Sequence, residues 1–472
     1  MSYDEALMTL RGLTNYERAP DPAAMRAVCL DRMRELCRRL GDPQRRFRAI
    51  LVGGTNGKGS ICAMLYAMLR ESALRVGLYT SPHLEDVRER IRLWTGPRPA
   101  AWVHGNDWIS KKDLSAMFDL LRPALDATRR AWPQQPPTYF EAVTALAFLA
   151  FQWRHVDIAV LEVGLGGRLD ATNVVEPAVP VFSPIAMDHA AVLGSDPAAI
   201  AREKAGIIKP GATVIATPQS EDVLAVLREA CEAAQVPLYV VGTDLTAGIH
   251  HHGLDGLQVT LTSLRGIYQS VDLPLLGRHQ AANAAAAVAA LEALSNTGMP
   301  FALVERGLSH VQWPGRIEVV HDAPLVLLDG AHNPHAARAL RETLTELCPG
   351  RSVHLIIGMS SDKAVEGVGG ILCPIAVSVT CTKSRHPRAM DPLALAGALR
   401  RYGTDVHVMS DPGDAYTYLL NAVSPEDVIV VTGSLFLVGE LRAALRQAHV
   451  KPRRSRPLGA VVADEFPPQA VA

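Results

Sequence analysis

The chain has 472 residues, too many for one compact core, so we expect two domains. Hydrophobic residues make up 48% and charged residues 20% of the sequence, and this ordinary balance excludes a mostly disordered chain. The 47 basic and 48 acidic residues leave a net charge of -1, so no global field attracts nucleic acid or an anionic membrane.

The first residues and the cysteines predict a cytoplasmic protein. Residues 1–10 include acidic residues and lack the basic region followed by an apolar core that marks a signal peptide. The longest apolar stretches fall short of the roughly 18–20 uncharged residues that a membrane span needs. The seven cysteines are scattered without a CxxC pair, so we expect reduced, buried thiols and no zinc site.

Short β-branched runs alternate with helical patterns in the first part of the chain. The predicted strands are Ala49 to Val52, Val76 to Tyr79, Val156 to Leu161, Val179 to Phe182 and Thr213 to Ala216. This alternation is typical of a mostly parallel α/β sheet. Residues 95–107 and 131–137, rich in Pro, Gly, Trp and Gln, are predicted to be surface insertions.

A second α/β series follows an Ala-rich helix predicted over His279 to Leu294. Its predicted strands are Leu325 to Leu328, Val353 to Ile357, Ala376 to Thr380 and Val428 to Val431. We therefore predict an α/β fold with a large P-loop-type, mostly parallel sheet domain over residues 1–297 and a smaller Rossmann-like domain over residues 298–450. The Pro-rich, basic tail over residues 451–472 has little to bury, so we predict disorder there.

A candidate phosphate loop follows the first strand and opens the next helix. It runs Gly53-Gly54-Thr55-Asn56-Gly57-Lys58-Gly59-Ser60. Glycines allow close backbone approach, amides at a helix N-terminus point at an anion, and a lysine adds positive charge. The structural alternative is a tight glycine turn with an exposed lysine, and the strand before and helix after favour phosphate binding over it.

The loop carries a resemblance to a known family. GTNGKGS, with Ser81 in TSPHL further on, resembles the folylpolyglutamate synthase and dihydrofolate synthase family, a branch of the Mur ligases. Further matching motifs follow in the same order over nearly the whole chain. They are Thr138 to Glu141, Glu162 to Asn173, Asp188-His189, Arg202 to Ile207, Gly277 to Gln280, Trp313 to Arg316 and Asp329 to Pro334.

The resemblance implies a metal site. Glu162 ends a predicted buried strand, and His189 ends another strand-like run. In the family, residues at the positions of Ser81, Glu162 and His189 hold a magnesium ion that bridges the ATP phosphates. The lysine at position 204 is carbamylated there and helps to hold a second magnesium ion. Carbamylation needs a neutral amine, so we expect a lowered pKa for Lys204.

The resemblance also implies nucleotide and folate contacts. The ATP-binding set would be Thr55, Asn56, Gly57, Lys58, Gly59 and Ser60 of the loop, with Asn283, Arg316 and Asp329. Lys58, His189 and Lys204 would be the catalytic groups, and Thr138 the contact on the pterin side. Without the resemblance, each residue has a structural interpretation: Asn283 as a surface amide, Arg316 as a solvated charge and Asp329 as a helix cap.

The activity that the resemblance implies is ligation of L-glutamate to dihydropteroate, to reduced folates, or to both. ATP and two magnesium ions would activate a carboxylate as an acyl phosphate, with ADP and phosphate as products. The expected partners are these small molecules alone, and we expect a monomer. The motifs do not separate dihydrofolate synthase from folylpolyglutamate synthase.

Three other functions compete with this interpretation. Amino-acid addition to a peptidoglycan precursor would require a UDP-binding domain, and only about 48 residues precede the first strand. A P-loop switch or kinase would need a stricter Walker pattern, but Val52 stands in place of its first glycine. The third, a catalytically silent nucleotide-binding protein, is disfavoured by the presence of Lys58, Glu162, His189 and Lys204 together.

Overall fold

The computed structural model describes residues 1–19, 21–26, 29–96, 107–188, 192, 194 and 196–447. The predicted tail at 451–472 and most of the predicted insertion at 95–107 lie outside these ranges. Among the described residues, no helix is both long and apolar enough to cross a membrane.

Helices and strands alternate along most of the described chain. The helices are α1 (Tyr3–Arg11), α2 (Pro22–Arg26), α3 (Leu30–Arg39), α4 (Lys58–Leu69), α5 (Lys111–Ala131), α6 (Tyr139–Trp153), α7 (Pro197–Ala205), α8 (Glu221–Ala234), α9 (His279–Ser295), α10 (Phe301–Ser309), α11 (Pro334–Leu347), α12 (Val365–Leu372), α13 (Pro392–Leu399), α14 (Pro412–Ala422) and α15 (Leu435–Gln447). The strands are β1 (Arg48–Gly53), β2 (Val76–Tyr79), β3 (Ile91–Trp94), β4 (Ile158–Glu162), β5 (Val179–Phe182), β6 (Val214–Ala216), β7 (Leu238–Val240), β8 (Thr246–Gly253), β9 (Gly256–Thr262), β10 (Ile267–Leu273), β11 (Glu318–Asp322), β12 (Leu325–Leu328), β13 (Val353–Ile357), β14 (Ser378–Cys381), β15 (Asp405–Val408) and β16 (Val428–Thr432).

The first unit is built on a seven-stranded sheet in the order β3-β2-β4-β1-β5-β6-β7. All neighbouring strands are parallel except β3, which pairs antiparallel with β2. Helices cover both faces: α1, α3, α5 and α6 share one apolar core, and α4 and α9 share the other. Because β1 and β4 are adjacent and parallel, Gly53 and Glu162 end at the same edge of the sheet.

A three-stranded antiparallel sheet, in the order β10-β9-β8, adds a second layer that the sequence analysis does not predict. Leu257, Val259 and Leu261 of β9 are fully buried in the same core as the alanines of α9. Helix α9 is therefore enclosed between two sheets, which explains why its small side chains are buried on nearly every face.

The second unit is a six-stranded sheet in the order β11-β12-β16-β13-β14-β15, parallel except for β11. Strands β12, β14 and β16 are completely buried, and the helices of this unit form two further cores on the two faces. Helix α10 precedes this sheet, but its Val304 and Leu308 belong to the core of the first unit. The predicted α/β class, a large mostly parallel sheet followed by a second sheet, is confirmed.

Candidate active site

The phosphate loop joins β1 to α4, in the predicted order of strand, glycine turn and helix. Gly54 has a φ of +134°, and a Cβ on it would lie 2.0 Å from Ser183 Oγ. Gly57, which has a φ of +88°, directly precedes the first residue of α4. The loop therefore approaches β5 too closely for any other residue at position 54.

Two lysine side chains meet at the loop. Lys58 Nζ donates to the carbonyl oxygens of Thr55 at 3.1 Å and Gly54 at 3.3 Å. Lys204 Nζ, on α7, donates to the same Gly54 oxygen at 2.7 Å. Lys204 is 4% exposed, and burial, followed by the charge of Lys58, lowers its pKa to about 7. The neutral amine that carbamylation requires is thus abundant near neutral pH.

Glu162 lies at the same edge of the sheet. It pairs with Val52 at the end of β1 and is 5% exposed, and its Oε2 accepts a hydrogen bond from Ser81 N at 3.0 Å. Burial raises the pKa of Glu162, whereas the charges of Lys58 and Arg316 act in the opposite direction. Ser81, Glu162 and Lys204 therefore lie beside the phosphate loop that contains Lys58.

The predicted ligand His189 lies outside the described residues, whereas Asp188 before it is described. Asp188 Oδ1 accepts a 2.6 Å hydrogen bond from Lys363 Nζ of the second unit, and both side chains are nearly buried. Within the described ranges, no group of three or more His, Cys, Asp or Glu side chains is arranged to hold a metal ion.

Predicted nucleotide contacts line the start of α4. Asn283 of α9 packs against Gly57, where an added Cβ would lie 3.2 Å from its side chain, and donates to Gln280 Oε1 at 2.9 Å. Gly59 is covered by Trp313, whose ring would lie 2.6 Å from an added Cβ. Ser60 is buried, and its Oγ accepts a 3.4 Å hydrogen bond from Gln280.

Arg316 and Asp329 lie together at the boundary between the units. Asp329 is 7% exposed, and its two oxygens accept from Ile317 N at 3.0 Å and Ala331 N at 2.9 Å. Burial raises the pKa of Asp329 above its usual value, although the charge of Arg316 opposes this shift. Asp329 thus fixes the backbone that presents Arg316, which is a positioning role that the sequence analysis does not predict.

A cavity of about 690 Å³ adjoins this edge of the sheet. Its walls come mainly from the segment before β1, from the start of α6 with the glycine loop after β4, and from the second unit. Met33, Phe140, Lys363, Arg388 and Phe436 are representative lining residues. Ser81 also lines it, so the cavity reaches the Glu162 end of the phosphate site.

The predicted substrate contact Thr138 lines this cavity and is also the N-cap of α6. Its Oγ1 accepts from Glu141 N at 3.2 Å and donates to Glu141 Oε2 at 2.8 Å. Glu141 in turn forms a buried ion pair with Arg32 of α3 at 2.9 Å. Thr138 therefore shapes the cavity wall through the helix cap.

Sequence reasoning missed several cavity residues. Asp170, in the motif GRLDATN, is buried and holds the glycine loop by accepting from Leu165 N at 2.9 Å. Glu17 forms a two-bond ion pair with the fully buried Arg90. The acidic residue that follows the glycine-rich run in GLGGRLD was a usable signal for Asp170, but no local pattern pointed to Glu17.

Comparisons with known proteins identify the family of this chain. A family model described as the Mur ligase middle domain matches residues 111–291, and one described as the Mur ligase, glutamate ligase domain matches residues 315–435. The chain is also 32% identical, over 422 residues, to the dihydrofolate synthase/folylpolyglutamate synthase of Bacillus subtilis, covering 88% of this chain and 95% of that one. The chain belongs to the folylpolyglutamate synthase/dihydrofolate synthase family.

Other members of the folylpolyglutamate synthase/dihydrofolate synthase family extend the comparison. A probable bifunctional folylpolyglutamate synthase/dihydropteroate synthase of Haloferax volcanii is 35% identical over 461 residues, which cover 97% of this chain and 52% of the relative. The chain thus spans about half the length of that relative.

Solved structures in the family have the same fold. Folylpolyglutamate synthase of Mycobacterium tuberculosis complexed with ADP superposes with a TM-score of 0.84 at 33% identity, covering 94% of this chain and 98% of that one. The bifunctional enzyme of Yersinia pestis complexed with AMPPNP and Mn ion gives a TM-score of 0.79 at 29% identity, covering 94% and 98%. The predicted family, a branch of the Mur ligases, is confirmed.

Proposed function

We propose that the protein is an ATP-dependent ligase that joins L-glutamate to dihydropteroate, to reduced folates or their glutamates, or to both. The observation that carries this proposal is the convergence of Lys58, Lys204 and Glu162 on one phosphate loop, beside a large cavity that Ser81 lines. The names of the relatives, and the ADP and AMPPNP in their structures, support the nucleotide and the substrate class.

The acceptor carboxylate and the phosphates of ATP are both anions, so they repel each other as they approach. A carboxylate oxygen of the acceptor attacks the γ-phosphorus of ATP, ADP leaves, and an acyl phosphate forms. Lys58 and the backbone amides at the start of α4 offset the negative charge of the phosphates, and Arg316 provides a second cation. The glutamate amine then attacks the acyl carbon, loses a proton, and phosphate leaves as the amide bond forms.

The donor set fits a divalent cation, which the Mn ion of the Yersinia pestis structure supports. We propose Mg²⁺, with Ser81, Glu162 and His189 holding one ion and carbamylated Lys204 helping to hold a second. When bound, such ions neutralise phosphate charge and orient the γ-phosphate. The fit rests on a buried carboxylate at the loop and on a buried amine whose pKa is lowered to about 7.

The cavity is the proposed site of the pterin and its carboxylate. Its volume of about 690 Å³ lies within the range of small-molecule sites, and apolar walls are combined with the cations Lys363 and Arg388. Met33 and Phe140 provide flat or flexible apolar surface for a ring system. The monomeric state and the cytoplasmic location stay predictions.

A coupled assay tests the proposal. The protein is mixed with ATP, Mg²⁺, glutamate and either dihydropteroate or tetrahydrofolate, and ADP release is followed while products are identified by mass spectrometry. We expect ADP release that requires both acceptor and glutamate, with a mass gain of one glutamyl residue. Nucleotide binding without turnover on either acceptor would instead favour the silent nucleotide-binding protein. The two acceptors also separate the two synthase activities.

A further inference from the structure

The side chain of Asn56, in the middle of the phosphate loop, is held entirely by the second unit. Its Nδ2 donates to Asn333 Oδ1 at 3.1 Å, and its Oδ1 accepts from Asn333 Nδ2 at 3.0 Å. The same Nδ2 lies 3.1 Å from Nδ1 of His335. Both hydrogens and the oxygen of this amide are thus used by two residues at the start of α11.

Asn333 is the centre of this contact. It is 2% exposed, and its Oδ1 also accepts from Ala336 N at 2.9 Å as the N-cap of α11. Its Nδ2 donates a second time, to Asp188 Oδ2 at 3.0 Å. Asp188 belongs to the first unit and also accepts a hydrogen bond from Lys363 of the second unit. One buried amide therefore joins the phosphate loop, Asp188 in the segment after β5, and the first turn of α11.

The orientations of the amides follow from their surroundings. Because the backbone N–H of Ala336 can only donate, the atom of Asn333 that faces it must be the oxygen. Asn56 must then present its nitrogen to that oxygen, and His335 Nδ1 must accept the second hydrogen. A neutral His335 with its proton on Nε2 meets this requirement, and burial lowers its pKa.

We propose that Asn56 is a positioning residue through which the second unit sets the shape of the phosphate loop. Its side chain then serves nucleotide binding through the contact with Asn333 and His335, and not by touching the phosphates. This inference rests on the proposed function, because it takes the loop to be the ATP site. By reciprocity, nucleotide on the loop stabilises the contact with α11 to the same extent that the contact stabilises bound nucleotide.

A double-mutant cycle on the full chain tests the coupling. Asn333→Ser keeps an N-cap oxygen for α11 but removes the amide that pairs with Asn56. Asn56→Ala removes the other amide of the pair, on the phosphate loop. We expect each single variant to weaken ADP binding, measured by calorimetry with Mg²⁺, by about 10-fold, and the double variant to be no weaker than either. The KM for ATP should rise in parallel, with a much smaller change in the KM for the folate acceptor.

Hydrogen exchange separates positioning from general stability. ADP should slow exchange of the first amides of α11 in the wild-type protein and leave them unchanged in Asn56→Ala. Asn421→Ser, which removes an exposed amide bonded to Thr417 O, is the matched control and should change neither ADP affinity nor exchange. If Asn333→Ser proves unstable, His335→Leu provides a milder loss of the same contact at a half-buried position.

Three results would overturn the inference. They are unchanged ADP affinity in the single variants, fully additive losses in the double variant, and equal protection of α11 by ADP in Asn56→Ala and wild type. Failure of the wild-type protein to bind ADP would instead refute the proposed function.

Discussion

At the residue scale, the carbonyl oxygen of Gly54 accepts hydrogen bonds from both Lys58 and Lys204. Two ammonium groups at one acceptor repel each other, and burial adds a cost to the charge on Lys204. The proton is therefore lost most easily from Lys204. Carbon dioxide would then convert the neutral amine into an anion beside Lys58, replacing repulsion with attraction.

This shift predicts a pH and bicarbonate dependence. With a pKa of about 7, the reactive neutral form of Lys204 is the minor species below that pH and the major species above it. We expect ligase activity to rise through this range and to increase with added bicarbonate. Initial rates of ADP release in CO₂-depleted and bicarbonate-containing buffers measure both effects.

The controls for this dependence are two lysine variants. Lys204→Gln should lose activity and its response to bicarbonate. Lys209→Gln should keep both, because Lys209 is half-buried and bonded to Gly206 O, away from the phosphate loop. A wild-type rate that is independent of bicarbonate at every pH would contradict carbamylation.

Glu162 gives a second prediction at this scale. Glu162→Gln keeps the shape and an acceptor for Ser81 N but removes the negative charge at the loop. We expect kcat/KM for ATP to fall by roughly 100-fold or more, with the fold intact. Steady-state kinetics over a range of Mg²⁺ concentrations measure this loss. Glu221→Gln, at an exposed ion pair with Arg228, should be silent, and equal activities of the two variants would count against a role for Glu162.

The sequence could predict part of the site at residue resolution. Glu162 and Lys58 could be predicted from the sequence, because parallel strands bring their carboxyl ends to one edge of the sheet. In the structure, Val52 indeed lies beside Glu162. The lowered pKa of Lys204 also agrees with the expectation. The pairing of Asn56 with Asn333 could not be predicted from the sequence, because these residues are 277 positions apart and meet only through the relative placement of the two units.

At the element scale, α3 and α6 are joined by the buried pair of Arg32 and Glu141, whose side chains are 3% and 5% exposed. Glu141 also closes the capping box with Thr138, so one carboxylate serves both the start of α6 and the attachment of α3. Both helices contribute walls to the cavity through Met33 and Phe140. The pair thus controls the shape of the proposed acceptor site.

Breaking this pair should affect stability and folate binding together. Arg32→Met leaves Glu141 buried without its cation, which costs about 3–5 kcal/mol of unfolding free energy. We expect a higher KM for the folate acceptor with little change in the KM for ATP. Denaturant titration and kinetics measure the two effects.

Arg34→Met is the matched control, since Arg34 and its partner Asp31 are 61% and 68% exposed, and it should cost about 0–1 kcal/mol. Equal destabilisation by the two variants would show that the buried pair has no special role.

Element prediction succeeded where strands are central and parallel. The predicted runs Val76 to Tyr79, Val179 to Phe182 and Val353 to Ile357 match β2, β5 and β13, because buried parallel strands are continuous apolar runs. The sequence pattern does not predict β8, which carries three successive histidines, or the edge strand β15, in which exposed and partly buried residues alternate. Such strands are defined by their neighbours more than by their own pattern.

At the scale of the whole molecule, Arg442 of α15 links the two units. It pairs with Glu318 at 2.9 Å in the second unit and with Glu85, which follows β2, in the first. We expect Arg442→Met to lower the unfolding free energy by roughly 1–3 kcal/mol and to reduce kcat, because the units lose a fixed contact. Calorimetric unfolding and ADP-release kinetics measure the change.

Arg446→Met is the comparison for Arg442. Arg446 lies 3.5 Å from the same Glu85, but its side chain is 44% exposed and has more solvent around it. Its loss should change stability and rate little. A larger effect for Arg446 than for Arg442 would contradict the proposed link.

The domain limits predicted at residues 297 and 298 stay a prediction. Because Val304 and Leu308 of α10 pack in the core of the first unit, we propose that the junction lies after this helix and before β11. A fragment ending at Val311 should then be more soluble than one ending at Thr297, which would expose the surface that α10 covers.

The large cavity has one further consequence, because its opposite walls belong to two separately cored sheets. Neither sheet alone determines how wide it is. A rigid compound that spans both walls would act as a spacer, holding the units at the distance set by its own length. We therefore expect compounds of different lengths to hold the two units at different separations.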